Sequence, residues 1–159
     1  MNRYSPEMTK PLRDEVTKLG VKELTSAEEV DATVKDTKGT MLIFINSVCG
    51  CAGGAARPGL ARALKSASSK PDLSATVFAG QDLEAVERVR KNYFSQFSPS
   101  SPCFGLLKDG KLVHMVQRTD IEGRSPEEVA KNLTDAFNKH CKSMQTAGDT
   151  NKDARSFPC

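Results

Sequence analysis

Apolar residues recur at helical intervals in five segments of the chain. The first segment contains Pro11, where the helix either begins or bends. The second opens with a capping box formed by Thr25 and Glu28. Pro58 lies inside the third and is expected to kink it. The predicted helices span about residues 5–20, 25–38, 52–66, 82–94 and 125–141.

Apolar runs of strand length lie between these helices. In TMLIFIN, residues 40–46, the five residues 41–45 form a continuous apolar run, which suits a central parallel strand buried on both faces. Residues 103–118 predict a hairpin that turns at Asp109 and Gly110. Shorter strands are predicted at residues 21–24 and 74–80. This order of elements predicts an α/β protein with the thioredoxin arrangement, in which a mixed central sheet has helices on both faces.

Length and composition indicate how many domains the chain forms and which classes of protein are not expected. The 159 residues suffice for one domain, predicted over residues 1–141. Residues 142–159 contain almost nothing to bury and are predicted to be a disordered tail. The net charge is only +3, with no basic patch interleaved with aromatics, so nucleic-acid binding is not expected. No signal peptide and no apolar stretch of ~18 residues is apparent, so we expect a cytoplasmic protein without a membrane partner.

Cysteine usage points to the segment that carries the chemistry. Five cysteines in a chain expected to be cytoplasmic do not indicate a disulfide framework. Cys49 and Cys51 stand two residues apart, between the apolar strand at 40–46 and the helix that follows. The first free backbone N–H groups of that helix would stabilise a thiolate on Cys49 and lower its pKa. The placement predicts a redox-active pair, and two inert buried cysteines are the alternative.

Four motifs carry a resemblance to a known family. NSVCGCAGGAARP, VFAGQD, SPSSP and IEG resemble the bacilliredoxins, which are thioredoxin-like proteins, and the likeness extends through nearly all of residues 5–141. The resemblance implies a thiol–disulfide oxidoreductase that removes bacillithiol, or a similar low-molecular-weight thiol, from mixed disulfides on S-thiolated cytosolic proteins. Disulfide reductase or isomerase activity is also attributed to such proteins. No bound cofactor is expected, and bacillithiol would be the co-substrate.

Thiol chemistry suggests how the pair would act. Cys49 is the expected nucleophile and would retain bacillithiol, which a second thiol or Cys51 would release, so Cys51 is a modulating or resolving partner. A disulfide across Cys-Gly-Cys would close a small, strained and oxidising ring. Gly50 relieves part of that strain because its backbone is permissive. Asn46 and Ser47, in the same motif, are also expected to shape the site.

Pro102 is the second expected part of the site. In the thioredoxin layout a cis-proline begins the strand that faces the cysteine pair, and SSPC provides a proline there. A trans proline in a loop is the alternative. Family members often have serine after this proline, whereas this chain has Cys103. Strand alternation leaves the direction of the Cys103 thiol open, and we expect it to be buried and inert.

Basic residues and metal binding complete the candidates. Arg57, Arg118 and Arg124 are candidates for binding an anionic thiol ligand, although each is otherwise an ordinary solvated charge. A competing function is metal binding, with Cys49, Cys51 and Cys103 holding Zn²⁺ or Cu⁺. The chain has no second ligand pair of the kind that tetrahedral zinc sites use, so no metal is assigned. A non-catalytic adaptor on the same scaffold is a third reading.

Overall fold

The computed structural model describes residues 5–141, so the predicted tail, residues 142–159, lies outside the described residues. A π-helical segment, Ala52–Ala56, directly precedes the third α-helix. The α-helices are α1 Pro6–Thr17, α2 Ala27–Asp36, α3 Arg57–Ser66, α4 Leu83–Asn92, α5 Arg118–Ile121 and α6 Pro126–His140. The strands are β1 Lys22–Glu23, β2 Thr40–Asn46, β3 Leu73–Phe78, β4 Cys103–Lys108 and β5 Lys111–Val116.

The five strands form one mixed sheet in the order β1-β3-β2-β4-β5. β1, β3 and β2 run parallel, β4 is antiparallel to β2, and β5 is antiparallel to β4. All seven residues of the central strand β2 are buried, as its apolar run predicted. The predicted hairpin is confirmed, with Asp109 and Gly110 at φ angles of 50° and 82°, the positive values that a primed turn requires.

Helices cover both faces of the sheet, which confirms the predicted architecture. Because side chains alternate along a strand, Leu42 and Phe44 face one layer while Ile43 and Ile45 face the other. Leu42 and Phe44 belong to a core shared with α1, α3 and α6, and Phe44 stacks on Phe104 with ring centroids 4.5 Å apart. Ile43 and Ile45 belong to a second core, shared with α2 and α4. No helix within residues 5–141 is long and apolar enough to cross a membrane.

The helix starts agree with the sequence prediction for α1 and differ for α2. α1 begins at Pro6 and continues through Pro11, so the alternative start at Pro11 is wrong. The cap of α2 is Ser26, whose hydroxyl accepts from the backbone N–H of Glu29 at 3.1 Å. Glu29 in turn accepts from the Thr25 backbone N–H at 2.7 Å, so the capping interaction lies one residue later than predicted. Both Thr25 and Ser26 are cap formers, and only the entry path of the chain decides between them.

Candidate active site

Cys49 and Cys51 lie where β2 passes into a helix, as predicted. The Cys49 carbonyl accepts from the backbone N–H groups of Ala52 at 3.1 Å and Gly53 at 3.4 Å, so the helical turn begins at this cysteine. Both cysteines are half-buried free thiols. Their sulfur atoms are 3.1 Å apart, within hydrogen-bonding distance.

The surroundings of Cys49 favour its thiolate. Partial burial, the largest single influence, would by itself raise the pKa. Hydrogen bonds from the Ser47 hydroxyl, the Cys51 thiol and the Ala52 backbone, with the positive charge of Arg118, outweigh burial and hold the pKa of Cys49 below its ordinary value. Ser47 Oγ lies 3.1 Å from the Cys49 sulfur and also accepts from the Cys49 backbone N–H at 3.2 Å.

Cys51 responds in the opposite direction. Burial is again the largest influence, and donation of its hydrogen bond to Cys49 together with the negative charge on Cys49 also raises the pKa of Cys51. Arg118 opposes these effects only in part. When the pair loses its first proton, these opposite shifts favour the negative charge on Cys49 and the remaining proton on Cys51.

A buried network holds Ser47 in place. Arg57 is 5% exposed, and its Nη1 donates to Asn46 Oδ1 at 3.0 Å and to the Ser47 carbonyl at 2.8 Å. Its Nε donates to Glu15 Oε1 at 2.8 Å. Asn46 Oδ1 also accepts from the Ser47 backbone N–H at 2.9 Å, and Asn46 Nδ2 donates to the Leu12 carbonyl at 3.1 Å. The segment between β2 and the cysteine pair is thus fixed to α1 and α3.

The helix after the pair changes its hydrogen-bond pattern before Pro58. The Arg57 backbone N–H donates to the Ala52 carbonyl five residues back, which is a π-helical bond. Pro58, which has no N–H to donate, follows directly as the second residue of α3. At Gly53 a Cβ atom would lie 2.9 Å from Arg57 Nη2, so the absence of a side chain there makes room for the buried guanidinium. The sequence predicted a kink at Pro58, and the structure has a π-helical segment directly before it.

The loop before β4 faces the pair, and the Ser101–Pro102 peptide bond is cis, as predicted. Two arginines hold this loop by its carbonyl groups. Arg118 Nη1 donates to the Ser101 carbonyl at 3.3 Å, and Arg90 Nη2 donates to the Ser100 carbonyl at 3.2 Å. The loop is therefore tied to α4 and α5 at the edge of the sheet where the cysteines lie.

A cavity of about 560 Å³ opens beside Cys49, within the ~300–1,000 Å³ typical of small-molecule sites. The segment before the pair, the start and one face of α4, and the loop before Pro102 form its walls. Cys49 lines the cavity, whereas Cys51 does not. The lining is apolar at Val48, Leu83 and Val86. Its charged lining residues are Glu87, Arg90, Lys91 and Arg118.

Comparison with known proteins identifies the family. A family model described as "Disulphide isomerase" matches residues 4–141. The chain is 48% identical to a bacilliredoxin of Bacillus licheniformis over 138 residues, which are 87% of this chain and 95% of that protein. It is 49% identical to a bacilliredoxin of Koribacter versatilis over 138 residues, 87% of this chain and 94% of that protein. The chain belongs to the bacilliredoxin family.

The fold is that of thioredoxin. Oxidised mitochondrial thioredoxin 3 of Saccharomyces cerevisiae superposes with a TM-score of 0.52 at 17% identity, covering 79% of this chain and 98% of that one. Membership of the bacilliredoxin family on a thioredoxin fold makes the protein a thiol–disulfide oxidoreductase. The adaptor reading receives no support.

Two of the predicted basic residues do not take the places expected of them. Arg57 is near the pair, but it is buried, its Nε and Nη1 donate to Glu15, Asn46 and Ser47, and it does not line the cavity beside Cys49, so its prediction as a ligand-binding residue gains no support. Arg124 is exposed beyond α5 and does not line the cavity beside Cys49. Arg118 does line the cavity beside Cys49.

Cys103 lies in the core, where it pairs with Ile45 across β2 and β4 and is 1% exposed. Burial raises the pKa of Cys103 to about 12, so this thiol stays protonated. The metal-binding alternative named Cys103 as the candidate for a third sulfur ligand. Within the described part of the chain no three His, Cys, Asp or Glu side chains cluster to hold a metal, so that alternative is not supported.

Arg90 and Lys91 line the cavity and were missed from the sequence. They are about forty residues from Cys49 along the chain, and only the packing of α4 beside the end of β2 brings them close. One local signal was present. Arg90 follows Val86 by four residues, which places both on the same face of the helix.

Proposed function

We propose that this bacilliredoxin removes bacillithiol, or a similar low-molecular-weight thiol, from mixed disulfides on cytoplasmic proteins. One observation supports this most strongly. Cys49 has its pKa lowered and lines a cavity large enough for a small thiol, whereas Cys51 has its pKa raised and lies outside the cavity lining. A nucleophile needs both thiolate character and access.

In the first step the Cys49 thiolate attacks the bacillithiol sulfur of the mixed disulfide. The Cys49–bacillithiol bond forms, the bond between bacillithiol and the target breaks, and the target cysteine leaves as a thiolate. The electron pair of the Cys49 sulfur makes the new bond, and the target sulfur takes the pair of the broken one. The target is reduced, and Cys49 now carries the disulfide.

Two routes return Cys49 to the thiolate. A second low-molecular-weight thiol attacks the bacillithiol sulfur on Cys49 and leaves as a bacillithiol-containing disulfide. Alternatively, Cys51 attacks Cys49, releases bacillithiol and forms a Cys49–Cys51 disulfide that two external thiols then reduce. The 3.1 Å separation of the two sulfur atoms places Cys51 within reach for the second route. We assign Cys51 as a modulating or resolving thiol.

The proposed partners follow from this chemistry. The macromolecular substrates are S-thiolated proteins, and bacillithiol is a co-substrate rather than a bound cofactor. We place the reaction in the cytoplasm, because a reducing compartment keeps Cys49 and Cys51 as thiols between cycles.

Mass spectrometry of single-cysteine variants tests the proposal. A bacillithiolated target protein is incubated with Cys51→Ser, and we expect the target to be reduced while bacillithiol appears on Cys49. Cys49→Ser should leave the target modified. Cys103→Ser is the matched control, since it removes an equally reduced but buried thiol, and it should behave as wild type. Transfer of bacillithiol to any other cysteine in the Cys49→Ser variant would contradict the assignment.

A further inference from the structure

The cavity beside Cys49 has an uneven charge balance. Three basic side chains line it, Arg90, Lys91 and Arg118, against the single carboxylate of Glu87. Lys91 Nζ lies 2.9 Å from Glu87 Oε2, so these two charges largely neutralise each other. The positive charge that remains in the cavity comes from the two arginines.

The two arginines differ in how many of their N–H donors are hydrogen-bonded within the protein. Arg118 donates to the Ser101 carbonyl at 3.3 Å and lies 3.5 Å from the Glu122 carboxylate. Arg90 has no carboxylate partner within residues 5–141, and its one hydrogen bond is the 3.2 Å bond from Nη2 to the Ser100 carbonyl. Its Nε is buried without a hydrogen-bond partner. A guanidinium has five N–H donors, so besides the buried Nε and the bond to Ser100, Arg90 keeps further Nη donors, and it lines the cavity.

The chemistry of a guanidinium indicates what would use that capacity. Its planar donors match the two oxygens of a carboxylate, and such charge-assisted pairs are stronger than neutral hydrogen bonds. The ligand must also carry a sulfur that reaches Cys49 in the same cavity, and Val48, Leu83 and Val86 leave an apolar wall between the charged groups. A small thiol with a carboxylate at some distance from its sulfur meets these requirements.

We propose that Arg90 binds a carboxylate of the low-molecular-weight thiol that exchanges at Cys49, and that it makes the enzyme selective for anionic thiols over neutral ones. The inference depends on the proposed function, because it takes the small thiol as the group that enters the cavity. Arg90 is thereby a specificity residue that contacts the thiol at a point remote from the reacting sulfur atoms.

Two small disulfides of similar shape test this selectivity. 3,3′-Dithiodipropionate carries a carboxylate on each arm, and bis(2-hydroxyethyl) disulfide carries a neutral hydroxyl instead. With either probe the Cys49 thiolate attacks one sulfur, forms a mixed disulfide on Cys49 and expels the other half as a thiolate. The second-order rate constant of this step is measured for both probes.

Arg90→Gln should lower the ratio of the dicarboxylate rate constant to the neutral-disulfide rate constant about tenfold, the effect expected for loss of one charge-assisted hydrogen bond. Arg88→Gln is the matched control. It removes the same charge from the same helix, but Arg88 pairs with Asp31 and does not line the cavity. It should alter neither rate constant by more than about twofold. Arg90→Lys should retain part of the preference, because it keeps the charge without the planar fork.

The ratio of the two rate constants separates binding from a merely structural effect. If Arg90 only holds the loop before Pro102 through Ser100, Arg90→Gln would slow both probes equally and leave the ratio of the two rate constants unchanged. An unchanged ratio would overturn the proposal, whether both rate constants fall or neither does. The proposed function fails separately, if wild-type protein exchanges with both probes but does not release bacillithiol from a modified target.

Discussion

Two thiols at neighbouring positions of the sheet have opposite environments. Cys103 begins β4 and pairs with Ile45, and Cys49 follows the end of the same β2 strand by three residues. Cys103 lies in the apolar core, and burial raises its pKa to about 12. Cys49 receives hydrogen bonds from Ser47, Cys51 and Ala52 that overcome its partial burial. The reactivity of each thiol therefore depends on the hydrogen-bond donors that surround its sulfur.

The difference between the two thiols has a simple physical origin. A side chain within a strand faces a packed layer, where the only hydrogen bonds on offer are those of neighbouring side chains. A side chain at the start of a helix meets backbone N–H groups that have no partner within the helix. The Ala52 backbone N–H, which also donates to the Cys49 carbonyl, stabilises the Cys49 thiolate, and the loop that carries Cys49 supplies the Ser47 hydroxyl.

The largest expected effect comes from removing each thiol in turn. Cys49→Ser should lower the rate of thiol exchange by at least about a hundredfold, because a serine hydroxyl is a far weaker nucleophile near neutral pH. Cys103→Ser should leave that rate within about twofold and lower the free energy of unfolding by about 1–2 kcal/mol, since it buries a hydroxyl in an apolar setting. Exchange kinetics and urea unfolding measure the two effects. A large activity loss in a folded Cys103→Ser protein would contradict the interpretation of Cys103 as an inert thiol.

A smaller effect is expected at the network that supports Cys49. Arg57→Leu would remove the hydrogen bonds from Arg57 to Glu15, Asn46 and the Ser47 carbonyl, and should lower the free energy of unfolding by about 2–3 kcal/mol. Arg62→Leu is the matched control on the same helix, because Arg62 is 55% exposed and its ion pair with Glu127 is 3.3 Å long. It should cost less than about 0.5 kcal/mol. Equal losses in urea unfolding would show that the Arg57 network adds no stability of its own.

Ser47→Ala should have the smallest effect of the three. It removes the hydroxyl that donates to the Cys49 sulfur at 3.1 Å, so the pKa of Cys49 should rise, and exchange at pH 7 should slow about fivefold, the effect expected for loss of one hydrogen bond. Ser47→Ala should therefore exchange more slowly than the wild type below the raised pKa of Cys49. At high pH, where Cys49 is a thiolate in both proteins, the two rates should be equal.

Ser66→Ala is the control for Ser47→Ala, since Ser66 donates to the Arg62 carbonyl in α3 far along the helix from Cys49. Its rate profile against pH should superpose on that of the wild type. A Ser47→Ala profile that is lower by the same factor at every pH would mean that Ser47 positions the sulfur without affecting its ionisation.

Most of the fold and the location of the reactive pair follow from local sequence patterns. The apolar run of β2 ends at Asn46, and the next regular element is a helix, so Cys49 had to lie at a strand-to-helix junction. The cis form of the Ser101–Pro102 bond was predicted only through the thioredoxin layout, because an isolated proline does not reveal its isomer.

The contacts of the basic residues could not be predicted from the sequence, because they join elements that are distant along the chain. Arg57 forms an ion pair with Glu15, a residue of α1 that lies 42 positions earlier in the chain. Arg90 reaches the cavity because α4 packs beside the end of β2. Cys103 illustrates a third limit, since strand alternation allowed both directions and the register of β4 against β2 decided for the core.

The central claim is that Cys49 carries the negative charge of the pair, and the pH dependence of alkylation at each cysteine tests it most directly. The wild-type protein is treated briefly with iodoacetamide at a series of pH values, and the labelled peptides are quantified by mass spectrometry. Labelling of Cys49 should reach half its plateau at a lower pH than that of an ordinary cysteine, and Cys51 at a higher one. Cys103 should remain unlabelled until the protein unfolds. Coincident profiles for Cys49 and Cys51, or a lower midpoint for Cys51, would contradict the account.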